Sequence, residues 1–157
     1  MESSRLPILL QALIFFIPVD IYVIGDWLGA GIQLPLIRFQ QTYLGFSSLS
    51  ILRDLTLVRT GIITGKSVIA VYLWTLAIFI LVVATCLLII GLLEKNVRLI
   101  QGSSFATCIS GLIFLVAMIV QYGPLLSSLS GFAIPIGLPY IFYLAWWIHQ
   151  YPPHLNE

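Results

Sequence analysis

Long apolar runs set the pattern of this chain. Residues 6–24, 68–93, 105–122 and 131–148 are apolar over about the 20 positions a helix needs to cross lipid, where no water serves the backbone. The second run is the purest: it holds no charge, and its 26 residues predict a helix of about 39 Å, long enough to tilt or protrude. The first contains Gln11, Pro18 and Asp20, and the fourth contains Pro135 and Pro139 and ends in Trp146 and Trp147. Short connections, 94–104 and 123–130, join the last three runs. The pattern predicts an all-α integral membrane protein: one domain over 1–157 with four transmembrane helices and one long loop, 25–67.

That loop is not simply hydrophilic. Leu49, Leu52, Leu55, Val58 and Ile62 recur every three or four positions, with Arg53, Asp54, Thr56, Arg59 and Thr60 between them. This spacing predicts an amphipathic helix with Ser47 or Ser48 as its N-cap. Residues 33–44 predict a shorter helix opening near Pro35. An amphipathic helix here would pack across the ends of helices one and two, lie among lipid headgroups or dock a partner helix.

Composition narrows the classes further. The chain is 60% hydrophobic and 8% charged, with a mean hydropathy of +1.07, whereas soluble domains are about 25% charged. Seven Lys+Arg against six Asp+Glu exclude a basic nucleic-acid-binding domain and an acidic disordered tail. Two cysteines exclude a disulfide-dense scaffold. The first run is expected to be retained rather than cleaved as a signal peptide. It is long, Arg5 is the only cation before it, and residues 28–30 make a poor cleavage site.

Four spans would put three Lys or Arg residues on the side of the termini and four on the side of the long loop, a split that sets no orientation. Trp27, Tyr72 and Trp74 would mark the loop-side interface, and Trp146, Trp147 and Tyr151 the other. The expected location is the cell membrane.

Asp20 is the only ionisable residue well inside a predicted span. A carboxylate there must be paired, neutral or facing water. With Gln11 and Gln121 it makes the candidate intramembrane polar site, and Arg38, Arg53 and Arg59 are its candidate ion-pair partners. Two readings follow: an ion pair that pins the loop onto helix one, or a proton or cation site. Gln11 lies nine residues before Asp20, about half a turn out of phase, so no continuous polar track joins them.

Other features point away from chemistry. Residues 60–67, TGIITGKS, resemble a phosphate-binding loop, but Gly61 sits one position too close to Gly65 and no strand precedes it. Cys86 and Cys108 lack a redox spacing and are expected to pack as small apolar residues. His149 and His154 are too few for a specific metal site. Ser103, Ala106, Thr107, Ser110 and Gly111, and the pair Gly25 and Gly29, offer small-residue faces for helix approach. The two prolines and Gly137 predict an irregular fourth helix.

The order of one helix, a long loop and three closely connected helices resembles claudin-like tetraspan proteins. Their Trp…Gly-Leu-Trp…Cys…Cys loop signature is absent, since 25–67 holds no cysteine and Trp27 stands alone, so the resemblance ends at the layout. No catalytic grouping, cofactor motif or metal cluster is legible, and an enzyme is not expected. The expectation is a structural, accessory or complex-subunit membrane protein that associates through the 25–67 loop and its small-residue faces. The alternative is a small oligomeric channel or transporter using Asp20. Expected partners are the lipid bilayer and a second copy or a membrane complex, with no nucleic acid and no nucleotide.

Overall fold

The fold is that of a computed structural model, which describes residues 5–25, 27–129 and 131–151. His154, named above, lies outside the described residues, as does the side chain of Arg5.

Proline decides where the first predicted span ends. Helix α1 (Arg5–Leu13) and a 3-10 turn (Ile14–Phe16) use its first half. Pro18 has no amide hydrogen and disfavours helical backbone in the residue before it. Ile17 is accordingly extended, with φ −86° and ψ 131°. The following Asp-Ile-Tyr-Val-Ile is rich in β-branched and aromatic side chains, which suit a pleated surface, and forms β1 (Asp20–Ile24).

The long loop continues as a meander of β2 (Gly29–Gln33), β3 (Ile37–Thr42) and β4 (Gly45–Ser50). The shorter helix expected at 33–44 is therefore a strand. Residues 37–40 alternate apolar and polar, the period-2 pattern of a strand. The amphipathic helix is α2 (Ile51–Arg59), and its N-cap is Ser50, whose Oγ accepts from the Arg53 amide at 3.4 Å. Gly25 and Gly29 belong to the β1–β2 hairpin rather than to a helix contact.

Helix α3 (Lys66–Leu93) and helix α4 (Val97–Tyr122) form an antiparallel hairpin. Asn96 caps α4, its side chain accepting from the Arg98 amide at 3.0 Å. Gly61 and Gly65 adopt φ of +75° and +63° at the end of α2 and the start of α3. Those are helix-punctuating positions, not a phosphate cradle.

The fourth predicted span divides as the first does. Strands β5 (Ser127–Ser128) and β6 (Gly131–Ile134) precede Pro135, and α5 (Leu138–Gln150) begins with Pro139 in its first turn, where a missing amide hydrogen costs nothing. The strands form one antiparallel sheet in the order β4-β3-β2-β1-β6-β5.

The expected all-α bundle of four transmembrane helices is thus replaced by a mixed fold. Among the described residues, two helices, α3 and α4, are long and apolar enough to cross a membrane. At 28 and 26 residues they run about 42 and 39 Å.

One half of the hairpin is packed by α1 and α5, the other by the sheet. In the first half Ser104 Oγ donates to the Ala145 carbonyl at 2.6 Å, and Gln11 Nε2 donates to Thr107 Oγ1 at 3.0 Å. Tyr140 OH ties α5 to α1 through the Leu10 carbonyl at 3.0 Å. In the second half Trp74 Nε1 donates to the Pro35 carbonyl at 3.0 Å, and the Trp74 ring meets Phe114 edge-on at 4.7 Å. The core joins the halves through Ile14, Leu81, Phe114, Met118 and Leu144, each no more than 1% exposed.

Ser103, Thr107, Ser110 and Gly111 are buried inside this packing. Ser110 Oγ donates to the Ala77 carbonyl at 2.9 Å, and a methyl at Gly111 would press on Ile141 and Phe142. The small-residue face of α4 therefore serves the chain's own helices. Cys108 is half-buried as a packing thiol would be, but Cys86 is exposed.

Candidate functional site

Sheet register gathers the polar residues at one end of the hairpin. In an antiparallel sheet, residues directly opposite one another share a face. Asp20 pairs with Gln33, Gln33 with Arg38 and Arg38 with Leu49, so these four form one row across β1 to β4. The row faces the first turns of α3 and the last turns of α4. The cavity between them, about 420 Å³, is lined by Asp20, Gln33, Arg38, Trp74, Gln121 and Tyr122. Helix α2 closes one side with Ile51 and Asp54, and Ile62 and Thr64 of the α2–α3 loop stand at an exposed rim.

Asp20 is 1% exposed, and neither carboxylate oxygen has a hydrogen-bond partner among the described residues. Burial is the larger influence on it and Arg38 the smaller, opposing one; together they raise its pKa from 3.8 to about 7. The Tyr22 phenol on the same strand is pushed up to about 12, mainly by burial.

The expected ion pair is present with a different acid. Arg38 Nη2 bonds Asp54 Oδ1 at 2.9 Å, and Asp54 is 3% exposed. Burial raises the Asp54 pKa, and Arg38 pulls it back down. Arg38 Nε is buried without a partner among the described residues. Arg53 and Arg59 lie exposed on α2 and do not line the cavity. Asp20 itself stands at the head of a strand rather than within a spanning helix.

Of the three polar residues singled out from the sequence, Asp20 and Gln121 share the cavity. Gln11 does not; it lies between α1 and α4, bonded to Thr107. Two wall residues, Asp54 and Trp74, carry roles the sequence reading did not give them. Asp54 shares the inward face of α2 with Ile51, Leu55 and Val58, spaced at three and four residues, whereas Leu52 is 72% exposed. An acid inside an apolar stripe was the available signal. Trp74, expected at a lipid interface, is 5% exposed.

Below the cavity the hairpin is filled by Trp74, Ala77, Leu81, Phe114 and Ala117, so the space ends inside the chain. No group of three or more His, Cys, Asp or Glu residues that could hold a metal occurs among the described residues. No protein-family model matches the chain, and no curated protein matches it either.

Proposed function

We propose that this chain is a membrane-embedded binding protein, with an accessory or complex-subunit role, that takes a small ligand into the Asp20 cavity. Helices α3 and α4 cross the bilayer of the cell membrane in this reading, and the sheet end presents the cavity at one membrane surface. The observation that carries it is the Asp20 carboxylate, 1% exposed and without a hydrogen-bond partner, beside about 420 Å³ of space. Buried polar groups are satisfied in the great majority of cases, and an exception asks for a ligand, a water or a functional role. The volume lies within the roughly 300–1,000 Å³ of small-molecule sites.

Two further observations favour binding over the other readings. The small-residue face of α4 packs against the chain's own helices, which weighs toward a role inside the fold. The filled hairpin beneath the cavity argues against a pore through one chain. The test is a thermal-stability screen of the detergent-purified protein against cationic, anionic and neutral fragments of roughly 6–12 heavy atoms. At least one should raise the unfolding temperature of the native protein but not of Ala70→Leu, in which the larger side chain enters the cavity. A screen in which no fragment separates the two proteins refutes the reading.

A further inference from the structure

We infer that the Asp20 cavity takes a small organic cation of single charge, a protonated amine, and releases a proton as it does so. This rests on the reading of the cavity as a ligand site and adds the charge class of the ligand. The charged residues among its walls are Asp20, Arg38 and Asp54. Arg38 and Asp54 neutralise one another at 2.9 Å, so an ionised Asp20 leaves the site one negative charge in excess. An ammonium group cancels that charge and brings up to three N–H donors. The acceptors are the two unpartnered Asp20 oxygens and the side-chain carbonyls of Gln33 and Gln121. A neutral ligand would leave a carboxylate buried without a counter-charge, and an anion would meet two carboxylates.

Size and wall chemistry separate an amine from a bare metal ion. The cavity equals the share of about fourteen liquid waters at about 30 Å³ each. Ile51, Ile63, Val71, Ala117 and Met118 give it apolar walls, suited to a carbon body and unable to replace a hydration shell. A calcium ion asks for 6–8 oxygen ligands, and the walls carry two carboxylates, one already held by Arg38.

The proton follows from the surroundings of Asp20. The titratable or charged groups around it are Tyr22 on β1, Arg38 on β3, Asp54 on α2 and Tyr122 on α4. The cavity walls from α3 add Ser67 and Trp74, which do not titrate near neutrality. The Tyr22 phenol, pushed up to about 12, stays neutral near pH 7, and Asp54 is held by Arg38. Asp20 is thus the group that holds a proton near pH 7, and an entering ammonium favours its ionised form. The carboxyl O–H bond breaks and the proton leaves to solvent.

The test compares three probes of one shape, benzylammonium, benzyl alcohol and benzoate, by calorimetry on the full chain in detergent. At pH 8 benzylammonium should bind at least tenfold more tightly than the other two, and its affinity should fall about tenfold at pH 6. In Asp20→Asn the preference should vanish. Should that variant not accumulate, titration of the native protein in buffers of different ionisation enthalpy still reports the proton, about half of one per ligand at pH 7. Equal binding of all three probes, tighter benzoate, no binding by benzylammonium, or no proton release overturns the cation assignment. If the broader fragment screen still separates native protein from Ala70→Leu, the ligand site stands and only its charge class falls.

Discussion

Replacing Asp20 with Asn should stabilise the protein at pH 8. Asp20 has a folded pKa of about 7 against 3.8 in the unfolded chain, so between these values the folded state binds more protons than the unfolded one. Stability therefore falls as pH rises through that window, and the loss is complete just above pH 7. A rise of about three pKa units corresponds to about 4 kcal/mol at 1.36 kcal/mol per unit. The Asn amide remains buried without a partner and returns part of this, about 1–3 kcal/mol. The net gain is then about 1–3 kcal/mol at pH 8, and it turns into a net loss of about 1–3 kcal/mol near pH 4, where native Asp20 is protonated and the buried amide remains. Unfolding in detergent, followed by tryptophan fluorescence at half-unit steps from pH 4 to 8, measures it, because Trp74 lies in the cavity wall. The slope of stability against pH should flatten in the variant, with a remainder from Asp54, whose pKa burial also raises. A variant less stable than the native protein at pH 8 would show that the ionised Asp20 stabilises the fold, the opposite of what its burial implies.

Three other substitutions probe the surrounding framework. Arg38→Gln leaves Asp54, 3% exposed, without its partner. It should cost roughly 2–3 kcal/mol by denaturant titration at pH 8, less than the roughly 3–5 kcal/mol of fully buried pairs because Arg38 is partly exposed. Arg38→Gln with Asp54→Asn should recover most of that loss. Gly131→Ala should disrupt β6, since φ is +122° and the added methyl would meet the Val23 carbonyl oxygen; faster amide exchange in β1 and β6 reports it. Trp74→Phe removes the 3.0 Å bond to the Pro35 carbonyl and should cost about 1–2 kcal/mol in the same titration.

The two long helices were legible because an apolar run with no strand-like interruption leaves a chain few alternatives to a helix. Residues 68–93 were read within two residues of α3, and the end of α4 at Tyr122 was read directly. The outer runs misled because hydropathy does not separate an apolar strand from an apolar helix. The local signals were Pro18 before Asp-Ile-Tyr-Val-Ile and Pro135 after Gly-Phe-Ala-Ile, each lying at a strand–helix boundary rather than at a kink. At the site, Asp20 and Gln121 stood out as polar residues in apolar runs. The row of Asp20, Gln33 and Arg38 did not, because a shift of one residue in any hairpin would turn its members to opposite faces. Register is set jointly by turns such as 34–36 and by what the sheet packs against, and a single sequence states neither. The choice of Asp54 over Asp20 as the partner of Arg38 has the same origin.

The backbone around Asp20 shows why its isolation is a property of the fold rather than slack within it. On its N-terminal side the Val19 amide donates to the Gln33 carbonyl at 2.8 Å, and the Gly137 amide donates to the Val19 carbonyl at 3.0 Å. From Asp20 onward β1 is paired on both edges, with β2 from Asp20 and with β6 from Ile21. The backbone that carries Asp20 is thus held on both edges, which fixes the face of the sheet from which its side chain projects. Arg38, one of the groups able to neutralise it, is fastened to an acid from another element. Strained or uncompensated groups persist where surrounding structure over-determines them, and they cluster at functional sites. Here the over-determining structure is the sheet itself. Its register keeps the Asp20 carboxyl facing the cavity, where the proposed cation would meet it.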